Sequence, residues 1–432
     1  MKNYIYTTLF ILLVFVSSFA QQTPAPKQTT DFCIEGATAH LGNGNVIENS
    51  LIQFSEGKIT YVGKVTDNIS KKGEIINATG KHVYPGFIVA NSSLGIGEID
   101  AVRATRDFDE VGSMLPHIRS IIAYNTESKV IETMRPNGVL LGQITPRGGV
   151  ISGTSSVVQF DAWNWEDAVV KVDDGVHMNW PNIFARSRGG FGRHRVFKPN
   201  EKYTEQTQKI KSFFEDAKNY LKSERKPKHL PFEALEGIIN NQQKLFIHVS
   251  GEKSIVDAIE TFKNMNINNL VIVHGNGAEK VASVLKNNNI PVVLERAHRL
   301  PTSEDEDYDF PYRTAKILTD AGIVVGIGMQ GDMERMSSRN LPFYAGTYAA
   351  HGLGTEKAIQ LITENNAKIL GIDDQYGTLE VGKSATLFIS EGDALDMLTN
   401  KLTHAFIDGR KLSLESHQTK LWKRYSEKYK NQ

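Results

Sequence analysis

His82-Val83-Tyr84-Pro85-Gly86-Phe87-Ile88-Val89-Ala90-Asn91-Ser92-Ser93 opens the central part of this 432-residue chain. A proline-glycine turn leads into an apolar run that stops at Asn91, Ser92 and Ser93. A strand without polar alternation is buried on both faces, as in a parallel sheet covered by helices. Similar apolar runs return at Val139–Ile144, Ser156–Phe160, Lys244–Val249, Asn269–His274, Pro291–Glu295 and Gly322–Gly328. Helical spacing of apolar residues falls at Ser254–Asn264, Ala278–Asn287 and Thr355–Asn365. Strands alternating with helices imply parallel crossovers. The natural closure is an α/β fold, a (β/α)8 TIM-type barrel over residues 82–375. An open doubly wound sheet is the alternative, though no G-x-G-x-x-G fingerprint follows a strand.

On either side of this region the period changes. Cys33–Thr38, Ser50–Phe54 and Gly57–Gly63 alternate apolar and polar residues between glycine turns, the mark of short antiparallel strands. Gly377–Ile389 and Ala405–Arg410 have the same texture. Residues 32–81 plus 376–412 are therefore expected to form one small β-sandwich domain built from both termini. Residues 413–432 read as a charged helix or a solvated tail.

Met1-Lys2-Asn3, the apolar run Ile5–Val16 and the small residues Ser18 and Ala20 have the pattern of a signal peptide over residues 1–20. The run falls short of the roughly 20 apolar residues of a spanning helix. A disordered lead-in over residues 21–31 follows, with no membrane span after signal cleavage. Export, to a bacterial periplasm, is the expectation. The 49 basic and 49 acidic residues balance, which argues against nucleic acid as a partner. Cys33 is the only cysteine, so the chain has no internal disulfide framework.

In a β/α barrel the C-terminal ends of the strands converge on one mouth. His248 and His274 each follow an apolar run and fall at such ends. Two neutral imidazoles on neighbouring strands suit a single zinc or iron ion. Each can equally be a core histidine hydrogen-bonded to a neighbour. Glu295 ends the next strand and His298 follows it; both offer further donors for a relocated site with the two histidines, although the following acidic run also reads as a solvated loop. Asn91 and Ser93 at the first strand's end can bind a polar ligand or satisfy backbone groups. Thr145–Ser156, with glycines, Ser, Thr and Arg at a strand end, reads as a loop rich in hydrogen-bond donors, and Arg147 suits the anion of a substrate. A Ser92/Ser93 nucleophile has no adjacent base in its support.

The opening stretch resembles the first barrel strand of the amidohydrolase superfamily, usually P-G-F-I-D-x-H-x-H. Asn91 and Ser93 stand where that pattern has its two metal-binding histidines, and Val89 stands where it has aspartate. His248 and His274 match the family's later histidines in context and order. The resemblance implies a final carboxylate ligand and base near Gly328-Met329-Gln330-Gly331-Asp332; direct alignment places Gln330 there, with Asp332 two residues on. Gly377–Leu387 resembles the family's G-x-L-E-x-G-K-x-A-D-L, with Thr386 for the last aspartate. Glu98–Asp107, Thr145–Val157 and Asp161–Asp167 together resemble an exported, imidazolonepropionase-like subgroup. Trp163 and Trp165 in the last of these read as a loop packed over the barrel.

This resemblance implies a hydrolase of non-peptide C–N bonds in a cyclic amide or related small-molecule substrate. One divalent metal, zinc or iron, would activate water between His248 and His274, with Asp332 as the base and Arg147 as a substrate anchor. The altered first strand supports a different reading: a catalytically inactive binding protein, or the partner subunit of an intact paralogue. A homo-oligomer is a further expected assembly.

Overall fold

The computed structural model describes residues 23–67, 69–186, 197–302, 306–331 and 333–430. The expected signal peptide and Asp332 lie outside the described residues. Among them, no helix is long and apolar enough to cross a membrane.

Two eight-stranded sheets organise the described residues. The first contains β1 (Phe32–His40), β2 (Val46–Ser55), β3 (Lys58–Lys64), β4 (Glu74–Asn77) and β5 (His82–Pro85). The second begins with β6 (Phe87–Ser92), β7 (Val139–Ile144), β8 (Ile151–Gln159) and β9 (Val169–Asn179). A separate hairpin pairs β10 (Phe184–Arg186) with β11 (Phe197–Pro199). The second sheet continues with β12 (Lys244–Val249), β13 (Leu270–His274), β14 (Val292–Leu294) and β15 (Val325–Ile327). The chain then returns to the first sheet with β16 (Leu387–Ser390), β17 (Leu402–Ile407) and β18 (Arg410–Lys411). Antiparallel pairing of β16 with β5 joins strands from both ends of the chain in one sheet.

The second sheet runs β6-β7-β8-β9-β12-β13-β14-β15. A parallel bridge between Ala90 and Gly328 closes it into a barrel, with the Met329 amide donating to the Ala90 carbonyl at 3.1 Å. A Cβ at Gly328 would lie 2.6 Å from Val293 Cγ1 and 3.1 Å from the Ala90 oxygen, so the seam needs glycine. The barrel departs from uniform parallel order at β8, which is antiparallel to both β7 and β9. The connections 145–150 and 160–168 are too short for parallel crossovers, which need a dozen or more residues. Much of the Gly-, Ser- and Thr-rich stretch expected to be a loop is therefore strand; only Thr145–Val150 precedes β8.

Every residue of β6, β7 and β8 is buried, as strands covered on both faces must be. The helix Glu252–Asn264 shows how the outer layer packs: Ile255, Ala258, Ile259 and Phe262 recur at helical spacing and are buried. Each large side chain buried this way contributes roughly 1.5–3 kcal/mol. The first sheet has its own smaller core, including Phe32, Phe54, Ile52, Leu387 and Phe406. Asp161 fastens the two parts together. Arg135 donates to its Oδ1 at 2.6 Å and Arg410, from β18, to its Oδ2 at 2.9 Å.

Within residues 413–430 the structure has the helix His417–Lys430. Asn164 caps the short helix Trp165–Ala168 by accepting from the Asp167 amide. Trp165 packs against the core, whereas Trp163 is exposed.

Candidate functional site

Strand β6 ends in a kink. Asn91 has φ 50°, a left-handed conformation that Asn adopts more readily than most residues. That turn leaves Asn91 able to bond in four directions. Its amide N–H donates to Gln143 Oε1 at 3.0 Å, and its Nδ2 donates to the Met329 carbonyl at 2.9 Å. Its Oδ1 accepts from an Arg147 terminal nitrogen at 2.7 Å, and its carbonyl accepts from the other at 2.9 Å. Arg147 also donates to Glu334 Oε2 at 2.7 Å. Ser93 donates to the other oxygen of the same carboxylate.

Asn91 and Ser93 are both buried, and the Glu334 side chain is only 7% exposed. An unpaired carboxylate in that setting is costly, and the guanidinium supplies its counter-ion. Arg335 follows at once, donating to Ser93 Oγ at 3.1 Å, pairing with Asp100 and stacking over the Phe108 ring. The ends of β6, β7 and β15 are thus tied by a charged cluster already satisfied within the protein.

Beside it, three histidines at the ends of neighbouring strands form a chain. His177 Nδ1 lies 2.9 Å from His248 Nε2, and His248 Nδ1 lies 3.0 Å from His274 Nε2. His177 Nε2 reaches Ser155 Oγ at 3.0 Å, and Ser155 donates to Asp174 Oδ1 at 2.8 Å. This order assigns the tautomers. Ser155 has two acceptors for its single proton, Asp174 Oδ1 and the Gly175 carbonyl at 3.1 Å, and so accepts from His177 Nε2–H. His248 then donates through Nε2 to His177, and His274 donates through Nε2 to His248. His274 Nδ1 is left as a lone pair, 3.8 Å from Glu295 Oε1.

Burial is the main reason all three imidazoles have depressed pKa values, with His274 pushed down to about 3. The positive charge of Arg147 adds to the shift in each of them. Asp174 is pushed the other way, up to about 6, by desolvation; hydrogen bonds from Ser155 and Gln143 oppose the rise. Burial also raises Glu295, against the pull of Arg299 and a hydrogen bond from Asn276.

The structure therefore brings together His248, His274 and Glu295, and separately Asn91, Ser93 and Arg147. His298 is exposed and bonds Thr347 Oγ1 at 2.8 Å; among the described residues no hydrogen bond joins it to the three histidines. Arg147 is turned onto Asn91 and Glu334. Gln330 Oε1 is buried without a hydrogen-bond partner among the described residues.

Sequence reading missed His177, Asp174 and Glu334. Val176-His177-Met178 does end a strand, but Asp173-Asp174 interrupts the apolar run that would have marked it. Glu334 gave no periodic signal, since it lies in a four-residue helix.

A cavity of about 1430 Å³ opens at the mouth, lined among others by Asn179, Trp180, Ser250, Asn276, Lys280 and Phe310. The three imidazoles are not among its lining residues. Asn276 links cavity to cluster by donating to Glu295 Oε1 at 3.2 Å.

The amidohydrolase family profile matches residues 183–414. No curated protein matches the chain significantly. Among solved structures, an amidohydrolase from Thermotoga maritima MSB8 is 25% identical with a TM-score of 0.74, over 88% of this chain and 99% of that one. A Xaa-Pro dipeptidase with bound methionine is 14% identical, TM-score 0.52, over 89% and 100% of the respective chains. An adenosine deaminase from Xanthomonas campestris with bound zinc is 14% identical, TM-score 0.52, over 93% and 98%. At such identity the last two likenesses speak to the fold.

Divalent metals are general in proteins of this type, so the donor set can be compared with what an ion needs. A catalytic zinc normally takes three protein ligands. Among the described residues no group of three or more His, Cys, Asp or Glu side chains is arranged to hold an ion. Both ring nitrogens of His248 are engaged by other imidazoles. Asn91 and Ser93 bring no imidazole, and permanent guanidinium groups stand against them, Arg147 on Asn91 and Arg335 on Ser93. The described residues do not fit a catalytic metal.

Proposed function

Because the chain belongs to the amidohydrolase family, we propose that its barrel mouth takes a small molecule carrying an amide or related C–N bond, and does so without metal-held hydroxide. The chain then acts as a ligand-binding member of this family of hydrolases, or as the partner subunit of an intact paralogue. One observation carries this reading: the two strand-one positions are occupied by Asn91 and Ser93, and both are bound into the Arg147–Glu334 ion pair. The motifs at Glu98–Asp107, Thr145–Val157 and Asp161–Asp167 support an imidazolonepropionase-like relationship, and the first 20 residues support export to the periplasm.

A second reading keeps hydrolysis. It is favoured by the facing nitrogens of His248 and His274 at 3.0 Å, with Glu295 alongside. Zinc or iron held there, with Asp332 as base, would return the chain to metal-assisted attack on a C–N bond.

Elemental analysis separates the two. The mature protein, prepared without chelator, is compared with the His248→Ala/His274→Ala double variant. On the first reading neither holds stoichiometric metal, even after zinc addition, and cyclic amides or imidazolones raise the melting temperature without turnover. About one zinc or iron per chain, lost in the double variant, would restore the second.

A further inference from the structure

The charged cluster at the ends of β6, β7 and β15 does more than leave a metal unaccommodated. We infer that Arg147 is the resident cation of this mouth: its guanidinium, clamped between Asn91 and Glu334, takes the place of a divalent metal and keeps one away from His248 and His274. This inference rests on the ligand-binding reading above.

Its first support is contact geometry. Arg147 uses both terminal nitrogens, one on Asn91 Oδ1 and the other on the Asn91 carbonyl and Glu334 Oε2. Ser93 bonds the second oxygen of Glu334. The two residues that replace strand-one imidazoles are therefore the two that hold the guanidinium–carboxylate pair. A metal seated against β6 would have to displace this group.

The second support is charge. Arg147 is held at the strand ends by Asn91 and Glu334, with its side chain only 20% exposed. A guanidinium keeps its charge at every accessible pH, unlike an imidazole or lysine. A dication approaching the end of β6 meets like charge in a setting where little water screens it. The third support is the counter-ion. Glu334 is nearly buried, and one positive group satisfies it. Arginine supplies that group covalently and in two-nitrogen geometry; a metal would supply it reversibly.

Calorimetric titration with zinc alone tests this on the whole chain, freed of metal by dialysis. The wild type and Arg147→Lys, which keeps the charge, are expected to bind no stoichiometric zinc. Arg147→Gln removes the cation, leaves Glu334 anionic without its counter-ion, and is expected to bind zinc about tenfold or more tightly than wild type. That gain should vanish when His248→Ala is added. Arg147→Gln/Glu334→Gln removes both charges together; it carries the test if the single variant fails to fold, and its zinc affinity should also exceed that of wild type. If the wild type binds one zinc per chain through His248, both this inference and the ligand-binding reading are overturned. If the wild type and the folded Gln variants all bind none, the inference alone is lost.

Discussion

Arg147 and Glu334, 187 residues apart in the chain, meet at 2.7 Å across the barrel mouth. One follows β7 and the other follows β15, so the pair bridges the seam that the Ala90–Gly328 contact closes. Arg147→Met should leave the Glu334 carboxylate without its partner. Breaking a buried pair from one side costs roughly 3–5 kcal/mol, and the 20% exposure of the Arg147 side chain puts this case at the lower end. Arg147→Met/Glu334→Gln should recover most of the loss in urea unfolding. Independent, additive losses would mean that the two residues do not act as a pair.

His177 is fully buried and stacks on Phe246 with ring centroids 4.5 Å apart. His177→Phe preserves that stacking but removes both nitrogens. His248 Nε2 and Ser155 Oγ then each lose a partner, at about 1–3 kcal/mol for an unsatisfied buried group. Equilibrium unfolding measures the loss. Nitrogen NMR of the wild-type imidazoles supplies a second reading: His274 Nδ1 should have the shift of an unprotonated nitrogen, and a protonated one would reverse the chain's direction.

Asp174 gives a stability term with a defined sign. Its folded pKa is raised from 3.8 to about 6, so between those values the folded state holds the extra proton. The stabilisation is complete below about pH 4 and is lost as pH rises through about 6. The shift corresponds to about 3 kcal/mol. Asp174→Asn has no such titration. The stability difference between wild type and variant should therefore change by that order from pH 4 to pH 7, favouring wild type on the acid side. A flat difference would show that Asp174 titrates normally.

Gly328→Ala tests the seam. Its Cβ meets Val293 Cγ1 at 2.6 Å, inside van der Waals contact, while backbone conformation remains ordinary. Overpacking of this kind costs typically 1–3 kcal/mol. Thermal melts should show a clearly lowered midpoint. An unchanged midpoint would mean that β6 and β15 separate without cost.

Asp161 is 5% exposed and receives Arg135 from the barrel side and Arg410 from the other sheet. Asp161→Asn leaves two guanidinium groups facing a neutral amide. A loss of about 3 kcal/mol or more is expected in denaturant titration, with both sheets unfolding at lower urea. The aspartate that opens the Asp161–Asp167 motif thus has a structural task, holding the two sheets together.

The sequence by itself determined the parts governed by local pattern. Unbroken apolar runs such as Phe87–Ala90 and Leu270–Val273 can only be strands covered on both faces, and the helical spacing at Ile255, Ile259 and Phe262 fixes what covers them. It also placed His248 and His274 at strand ends, because a strand's end is where its apolar run stops. Tertiary structure decided the rest. The antiparallel course of β8 follows from connections too short for a crossover, which matters only once β7 and β9 flank it. His177 was hidden because the polar pair before it breaks the apolar run, yet Asp174 is buried and bonded by Ser155 and Gln143 from the two preceding strands, β8 and β7. Whether Arg147 faces a ligand or a carboxylate was not readable from its own loop. Glu334 reaches it from 187 residues away, and burial of that carboxylate makes the pairing obligatory.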